Sequence, residues 1–180
     1  ITLLNTFEVM MGGVSYMIEL HKASYEGVKY LLIYEPTLCE REYLYGPPEN
    51  GYSDNALRFG LFAYAITQLL RIDSYAIAHL NDWQCALAAL LAKEDPSNTT
   101  KILYTIHNLA YQGVFPPSVM GLIGLNEGYF TMDALEFYDQ VNFMKAGIAY
   151  ADAVTTVSPT YAKEILTPEF GCGLEGFLHV

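Results

Sequence analysis

Alternating apolar and polar positions near the start of the chain predict paired β-strands. Residues 14–20 (VSYMIEL) and 28–34 (VKYLLIY) are rich in β-branched and aromatic side chains, and a polar segment containing Glu26-Gly27 separates them. This order of strand, turn and strand predicts an antiparallel hairpin. The preceding Met11-Gly12-Gly13 has no strand-turn-helix context, so we interpret it as an ordinary turn and not as a phosphate-binding loop.

After residue 54 the pattern alternates between helix and strand. Leu57, Leu61, Ala65 and Leu69 recur at helical spacing, which predicts a helix capped by Asp54. The further predicted elements are a strand at 75–80, a helix at 83–93 opened by Asn81-Asp82, a strand at 101–107, a helix at 134–150, a strand at 153–157 and a last helix begun by Ser158-Pro159. The alternation predicts one α/β domain over residues 1–180 with a Rossmann-like, doubly wound parallel sheet and right-handed crossovers.

The charge and cysteine content of the chain limit the kinds of partner and cofactor that we expect it to bind. With 9 Lys+Arg against 20 Asp+Glu, the net charge of −11 disfavours nucleic acid and anionic membranes. No apolar run reaches the roughly 20 residues that span a bilayer, and no signal peptide is visible, so we expect a cytoplasmic protein. Cys39, Cys85 and Cys172 are widely spaced and fit reduced thiols, and no metal site or cofactor is expected.

The stretch 101–113 (KILYTIHNLAYQG) carries the clearest candidate site. An apolar run ends at His107-Asn108, and Tyr111 and Gln112 follow in a loop. Ligands of open α/β sheets bind beyond the carboxyl ends of the strands, so these four polar residues are candidate ligand-binding groups. The alternative for His107 is a histidine satisfied within the strand end, with Asn108 as a turn former.

A second polar cluster follows the neighbouring predicted strand. His79 and Asp82 lie in HLNDWQ, and Asp82 either caps the next helix, binds a ligand, or does both. Tyr52 precedes the first long helix and is suited to stacking on a sugar. Glu136, Asp139, Asn142 and Lys145 recur at near-helical spacing, which favours a solvated helix face over a catalytic row. G-x-S-x-G, H-E-x-x-H, the P-loop and a strand-linked G-x-G-x-x-G are absent from the sequence.

Five segments together strongly resemble bacterial glycogen synthases and plant starch synthases, the ADP-glucose-dependent glucosyltransferases of family 5. From about Val14 onward these are YSDNALRFGLF, HLNDWQ, TIHNLAYQGVFP, LEFYDQVNFMKAGIAYAD and VTTVSPTYAKEILTPEFGCGLEG. The order and spacing of the five segments match the family.

The resemblance implies the acceptor-side half of a GT-B glycosyltransferase with two Rossmann-like domains. Such an enzyme transfers glucose from ADP-glucose to an α-1,4-glucan with retention, in the cytoplasm or, in a plant, the plastid. We expect this chain to be a partial N-terminal domain, inactive alone, without the Lys-x-Gly-Gly loop and without the C-terminal donor domain. The family's histidine, aspartate and tyrosine positions match His107, Asp82 and Tyr52, whereas many relatives carry a histidine where this chain has Asn81.

The resemblance also assigns roles. His107 and Asp82 would be catalytic, and His107 would hold the glucose. The substrate-binding residues would be His79, Asn108, Tyr52, Tyr111 and Gln112. The sequence shows no carboxylate pair suited to double displacement, for which the separation is about 5 Å, so front-face transfer is favoured. Two alternatives stay open: a non-catalytic glucan-binding or regulatory module, and a related transferase that uses another nucleotide sugar.

Overall fold

The computed structural model describes residues 1–179, which form nine strands, six α-helices and two short 3₁₀ turns. In chain order they are β1 (Thr2–Met11), β2 (Val14–Tyr25), β3 (Val28–Tyr34), α1 (Pro36–Cys39), α2 (Asn55–Ile72), β4 (Ile77–Asn81), α3 (Trp83–Glu94), β5 (Lys101–Ile106), β6 (Val114–Phe115), α4 (Val119–Leu122), the turn Glu127–Tyr129, β7 (Glu136–Phe137), β8 (Gln140–Asn142), α5 (Phe143–Tyr150), β9 (Ala153–Thr156), α6 (Pro159–Glu164) and the turn Phe177–His179.

The first three strands form an antiparallel sheet in the order β1-β2-β3. The predicted hairpin is confirmed as β2 and β3, and its turn residues Glu26 and Gly27 have φ of 49° and 80°. Gly12 and Gly13 form the turn that connects β1 to β2, which confirms the prediction of an ordinary turn. Strand β1 was not predicted, and a register shift between Leu3 and Asn5 interrupts its alternation.

The parallel sheet has the order β4-β5-β9 and holds the predicted βαβ unit. The predicted α/β class, Rossmann-like parallel sheet and initial hairpin are therefore confirmed. Strand β4 starts at Ile77, two residues later than predicted, and β5 ends at Ile106. Because the strands are parallel, Asn81, Ile106 and Thr156 end at one edge of the sheet.

Helix α3 forms the centre of the core. It packs against α2 and α5, and Ala86 to Leu90 are fully buried along it. Burial of Leu87 and Leu90 each contributes about 2 kcal/mol to stability. Helix α5 approaches β5 closely because Gly147 faces the ring of Tyr104, where a Cβ would lie 2.5 Å from the ring.

The predicted helix at 134–150 is wrong in its first half. Strands β7 and β8 form a hairpin there, and its two turn residues, Tyr138 and Asp139, have φ of 49° and 61°. Two consecutive positive φ angles match the twist of a two-residue hairpin. The helix begins only at Phe143, where the Asn142 side chain caps it by accepting the N–H of Lys145.

The predicted solvated face at residues 136–145 is wrong for Asn142 and Lys145, although Asp139 is exposed. Asn142 is completely buried and Lys145 is 4% exposed. The Lys145 ammonium donates to the carbonyls of Met132 and Glu136 and lies 4.4 Å from the Phe177 ring centroid. Burial lowers its pKa. Within residues 1–179, no helix is both long and apolar enough to cross a membrane.

Candidate active site

The carboxyl ends of β4 and β5 bring two of the predicted polar clusters together. Asn81 ends β4 opposite Thr105 of β5, and the chain leaves β5 into His107 and Asn108. Asp82 follows Asn81 directly and donates its backbone N–H to the Thr105 carbonyl at 3.0 Å. The edge of the sheet therefore positions Asn81 and Asp82 beside His107 and Asn108.

Asp82 binds the neighbouring loop and does not cap α3. Its Oδ1 accepts the backbone N–H of His107 at 2.8 Å and, more weakly, that of Asn108 at 3.4 Å. Its side chain makes no capping hydrogen bond to α3. The capping interpretation is therefore wrong for Asp82, and also for Asp54, whose carboxylate pairs with Arg41 instead.

The backbone at Asp82 is strained. Its φ of 57° and ψ of −177° lie in a region that residues other than glycine rarely adopt, at a cost of about 1–3 kcal/mol. Trp83 begins α3 immediately afterwards and packs edge-on against Phe59, with ring centroids 4.8 Å apart. Backbone strain of this kind often occurs at functional sites, and here it lies at the residue that binds the His107 loop.

The imidazole of His107 is exposed, and its Nε2 lies 2.9 Å from Asn81 Oδ1. The amide of Asn81 also donates through Nδ2 to the His79 carbonyl at 3.3 Å. The buried Cys85 thiol donates to the Asn81 carbonyl at 3.0 Å, and burial raises the pKa of that thiol to about 11. Cys85 therefore stays protonated near neutral pH and fixes the backbone of Asn81.

The loop after His107 is ordered by its own hydrogen bonds. Asn108 Oδ1 accepts the N–H of Ala110 at 3.0 Å, and the Leu109 N–H donates to the Tyr161 hydroxyl at 2.9 Å. Tyr111 is 68% exposed and lies at the rim of a cavity of about 400 Å³ that Trp83 and Gln112 also line. The structure thus leaves the Tyr111 ring accessible, while the Asn108 amide oxygen shapes the turn.

Gln112 connects this loop to the rest of the domain. Its Oε1 accepts from Asn142 Nδ2 at 2.6 Å, and its Nε2 donates to the Cys172 carbonyl at 3.1 Å. The backbone carbonyls of Gln112 and Gly113 accept from the N–H groups of Met144 and Phe143 at the start of α5. The buried Gln112 therefore ties three segments together beside the site.

Tyr52 and His79 lie apart from the His107 loop. The Tyr52 ring contacts two guanidinium groups, with Arg41 and Arg58 each 5.3 Å from its centroid. Its hydroxyl accepts the N–H of Tyr43 at 3.0 Å. The His79 ring is hydrogen-bonded to Thr105 Oγ1 at 2.6 Å within the sheet, so it does not reach the edge.

A cavity of about 710 Å³ extends from the segment that contains Tyr43 and Tyr45 to Asp82. Its lining includes Arg41, Tyr43, Tyr45, Arg58, Asn81 and Asp82. Arg58 is 2% exposed and donates to the carbonyls of Leu38 and Leu44. Burial lowers its pKa, and the nearby Arg41 lowers it further.

Arg41 and Arg58 were not among the residues predicted for the site. Arg58 falls among the apolar positions of α2, and this is the one indication that it would be buried. In residues 1–179 no group of three or more His, Cys, Asp or Glu side chains could hold a metal ion. The arrangement offers hydrogen bonds and fixed charges to a polar, hydroxyl-bearing ligand.

The fold places the chain in the class of GT-B catalytic domains, of which it forms one part. The catalytic domain of starch synthase IV from Arabidopsis thaliana, in a structure bound to ADP and acarbose, superposes with a TM-score of 0.87 at 30% identity. The match covers 99% of this chain and 38% of that chain.

Sequence comparison defines the family. A family model described as the starch synthase catalytic domain matches residues 1–180, and the chain belongs to that family. It is 45% identical over 170 residues to a glycogen synthase of Aquifex aeolicus and 43% identical over 178 residues to glycogen synthase 2 of Geobacter metallireducens. These alignments cover 93% and 95% of this chain but only 36% and 37% of the relatives. The resemblance found in the sequence is confirmed, and it extends to residues before Val14.

Proposed function

We propose that this chain is the acceptor-side part of an enzyme that transfers glucose from ADP-glucose to the non-reducing end of an α-1,4-glucan, with retention. Residues 1–180 would form a partial N-terminal domain, and the donor-side domain would lie outside them. The observation that carries the proposal is the match of the whole chain to the family, combined with the His107 loop held by Asp82 at the sheet edge. The ADP and acarbose bound to the Arabidopsis protein support the two substrate classes.

The proposed chemistry depends on charge more than on a nucleophile. Breaking the bond to ADP develops positive charge on the sugar and negative charge on the diphosphate, and preorganised dipoles lower that barrier. His107 would hold the glucose, and Asp82 would orient a hydroxyl through Oδ2, which has no hydrogen-bond partner among residues 1–179. Asn108 would support the same loop by ordering its turn.

The other proposed contacts follow from the two cavities. Tyr111 and Gln112 line the smaller one, and Arg41 and Arg58, which both contact the Tyr52 ring, line the larger one, so both cavities are candidates for acceptor glucose units. His79 would act on the substrate only indirectly, through Asn81, because its ring is engaged with Thr105. The proposed location is the cytoplasm, or the plastid in a plant, and cell fractionation tests it.

Glucose transfer by the full-length protein tests the proposal. Labelled glucose from ADP-glucose should enter glycogen, with far less transfer from UDP-glucose, and the new linkage should keep the α configuration by NMR. The isolated chain should bind glucan without transferring glucose. Glucan binding by the full-length protein with no transfer from any nucleotide sugar would favour the non-catalytic binding module instead.

A further inference from the structure

We propose that Asn81 is a positioning residue that holds neutral His107 in its Nε2–H tautomer, and so presents Nδ1 as a hydrogen-bond acceptor. The inference rests on the proposed function only for its kinetic consequence. The tautomer itself follows from the hydrogen bonds around the Asn81 amide.

The orientation of the Asn81 amide follows from its contact with the His79 carbonyl. Its NH₂ group can only donate and its oxygen can only accept. Nδ2 lies 3.3 Å from the carbonyl oxygen of His79, which can only accept, so Nδ2 faces His79 and Oδ1 faces His107. A flipped amide would place two acceptors, Oδ1 and the His79 carbonyl, against each other.

The protonation of the His107 ring follows from that orientation. Asn81 Oδ1 lies 2.9 Å from His107 Nε2 and must accept, so Nε2 carries the proton. A neutral imidazole has one protonated nitrogen, which leaves Nδ1 with its lone pair. Among residues 1–179, Nδ1 has no hydrogen-bond partner, and the exposed ring leaves it open to a ligand.

The backbone around Asn81 is fixed from several sides. The Cys85 sulfur accepts the Asn81 backbone N–H and donates to the Asn81 carbonyl, each at 3.0 Å. The next residue, Asp82, holds the backbone N–H of His107. Asn81 therefore bonds the ring of His107 and Asp82 bonds its main chain. Together the two contacts fix the position and the tautomer of this histidine.

The tautomer can be measured directly in the full-length enzyme. With ¹⁵N-labelled histidine, the His107 signals, assigned by their loss in His107→Gln, should show a protonated Nε2 and an unprotonated Nδ1 at pH 8. Asn81→Leu, which keeps the volume but cannot accept, should populate the Nδ1–H form and lower kcat about tenfold with little change in KM. An Nδ1–H signal in the unmodified enzyme would overturn the proposal, as would an Asn81→Leu variant with unchanged tautomer and kcat.

Asn81→Asp provides a second variant that keeps the acceptor. The carboxylate of this variant should keep the proton on Nε2 and also favour the imidazolium form of His107, in which Nδ1 cannot accept. The variant should therefore have a lower kcat than the unmodified enzyme at pH 6, and its kcat should recover as the pH rises. The other titratable groups that hydrogen-bond in this region are unaltered: Asp82 accepts the backbone N–H of His107, the His79 ring bonds Thr105, and the hydroxyl of Tyr161 in α6 accepts the N–H of Leu109. A pH profile of kcat identical to that of the unmodified enzyme would contradict the proposal even if Asn81→Leu did not fold.

Asn98→Leu is the matched control. Asn98 lies in the turn before β5, at the opposite end of the strand from His107, and within residues 1–179 its side chain bonds only the backbone of Thr100. This variant should leave the His107 tautomer and kcat unchanged. If the full-length protein transferred no glucose, the proposed function would fail, while the NMR result would still decide the tautomer.

Discussion

The carboxylate of Asp82 accepts the backbone N–H of His107, which lies 25 residues further along the chain, at 2.8 Å. A charge-assisted bond of this kind preorganises the loop that ends β5. Asp82→Ala in the full-length enzyme should lower kcat/KM about 100-fold, equivalent to about 3 kcal/mol. The free energy of unfolding should also fall, by about 1–2 kcal/mol, because the hydrogen bonds to the loop after β5 are lost, although no helix cap is lost.

Asn126→Ala is the control for that measurement. Asn126 does cap its 3₁₀ turn, accepting the N–H of Gly128 at 2.8 Å, so its loss should cost about 1 kcal/mol of stability without a kinetic effect. Near wild-type kinetics for both Asp82→Ala and Asp82→Asn would remove Asp82 from the active site.

His107→Ala tests the exposed imidazole itself. Since the ring is exposed and its backbone is held by Asp82, the substitution should leave the melting temperature nearly unchanged. It should lower kcat at least about 100-fold if the ring contacts the transition state. The opposite pattern, a lowered melting temperature with unchanged kcat, would mean that His107 has a structural role only.

Local patterns predicted the parallel sheet well, because β4, α3 and β5 are long or strongly apolar segments. They did not predict the roles of residues whose partners lie far away in the chain. Asp82 has the residue type and the position of a helix cap, but its carboxylate accepts the N–H of His107 instead of an N–H of α3. His107 is distant in the sequence, so this alternative partner is visible only in three dimensions. The Tyr138-Asp139 turn was missed because it lacks the glycine that usually supplies a positive φ.

Asn142 and Gln112 should act as one structural unit. Asn142 is fully buried, caps α5 and donates to Gln112. Asn142→Ala should therefore destabilise the full-length protein by about 2–3 kcal/mol, because it leaves Gln112 Oε1 unsatisfied. In a double-mutant cycle with Gln112→Ala, thermal or denaturant unfolding should give a coupling energy of about 1 kcal/mol or more. Purely additive effects would mean that the two side chains do not depend on each other.

Gly113 allows the loop to pass over Trp83. Its φ is 64°, and a Cβ there would lie 2.3 Å from Cε3 of the indole ring. Gly113→Ala should cost both stability and kcat/KM, because the loop must move away from the site. Gly27→Ala is the matched control: φ is 80° but no atom lies within 4 Å of the new Cβ, so only the backbone strain of about 1 kcal/mol remains. Equal losses of stability in the two variants would exclude the contact with Trp83 as the cause.

Asp95 should contribute stability that depends on pH. Its Oδ1 accepts from the Ser97 hydroxyl and N–H, and its Oδ2 accepts from Arg71. The Ser97 hydrogen bond and then Arg71 lower the pKa of Asp95 to about 2, below the value of about 3.9 expected in the unfolded chain. A lowered folded-state pKa stabilises the protein above the unfolded-state pKa, and this stabilisation is lost as the pH falls from about 4 to 2.

Asp95→Asn should therefore lower the melting temperature of the full-length protein by about 2 °C at pH 7, and the difference from the unmodified protein should shrink towards pH 2. Melting temperatures measured across this range, with the exposed Asp133→Asn as control, test the effect, and a difference that stayed constant down to pH 2 would contradict it.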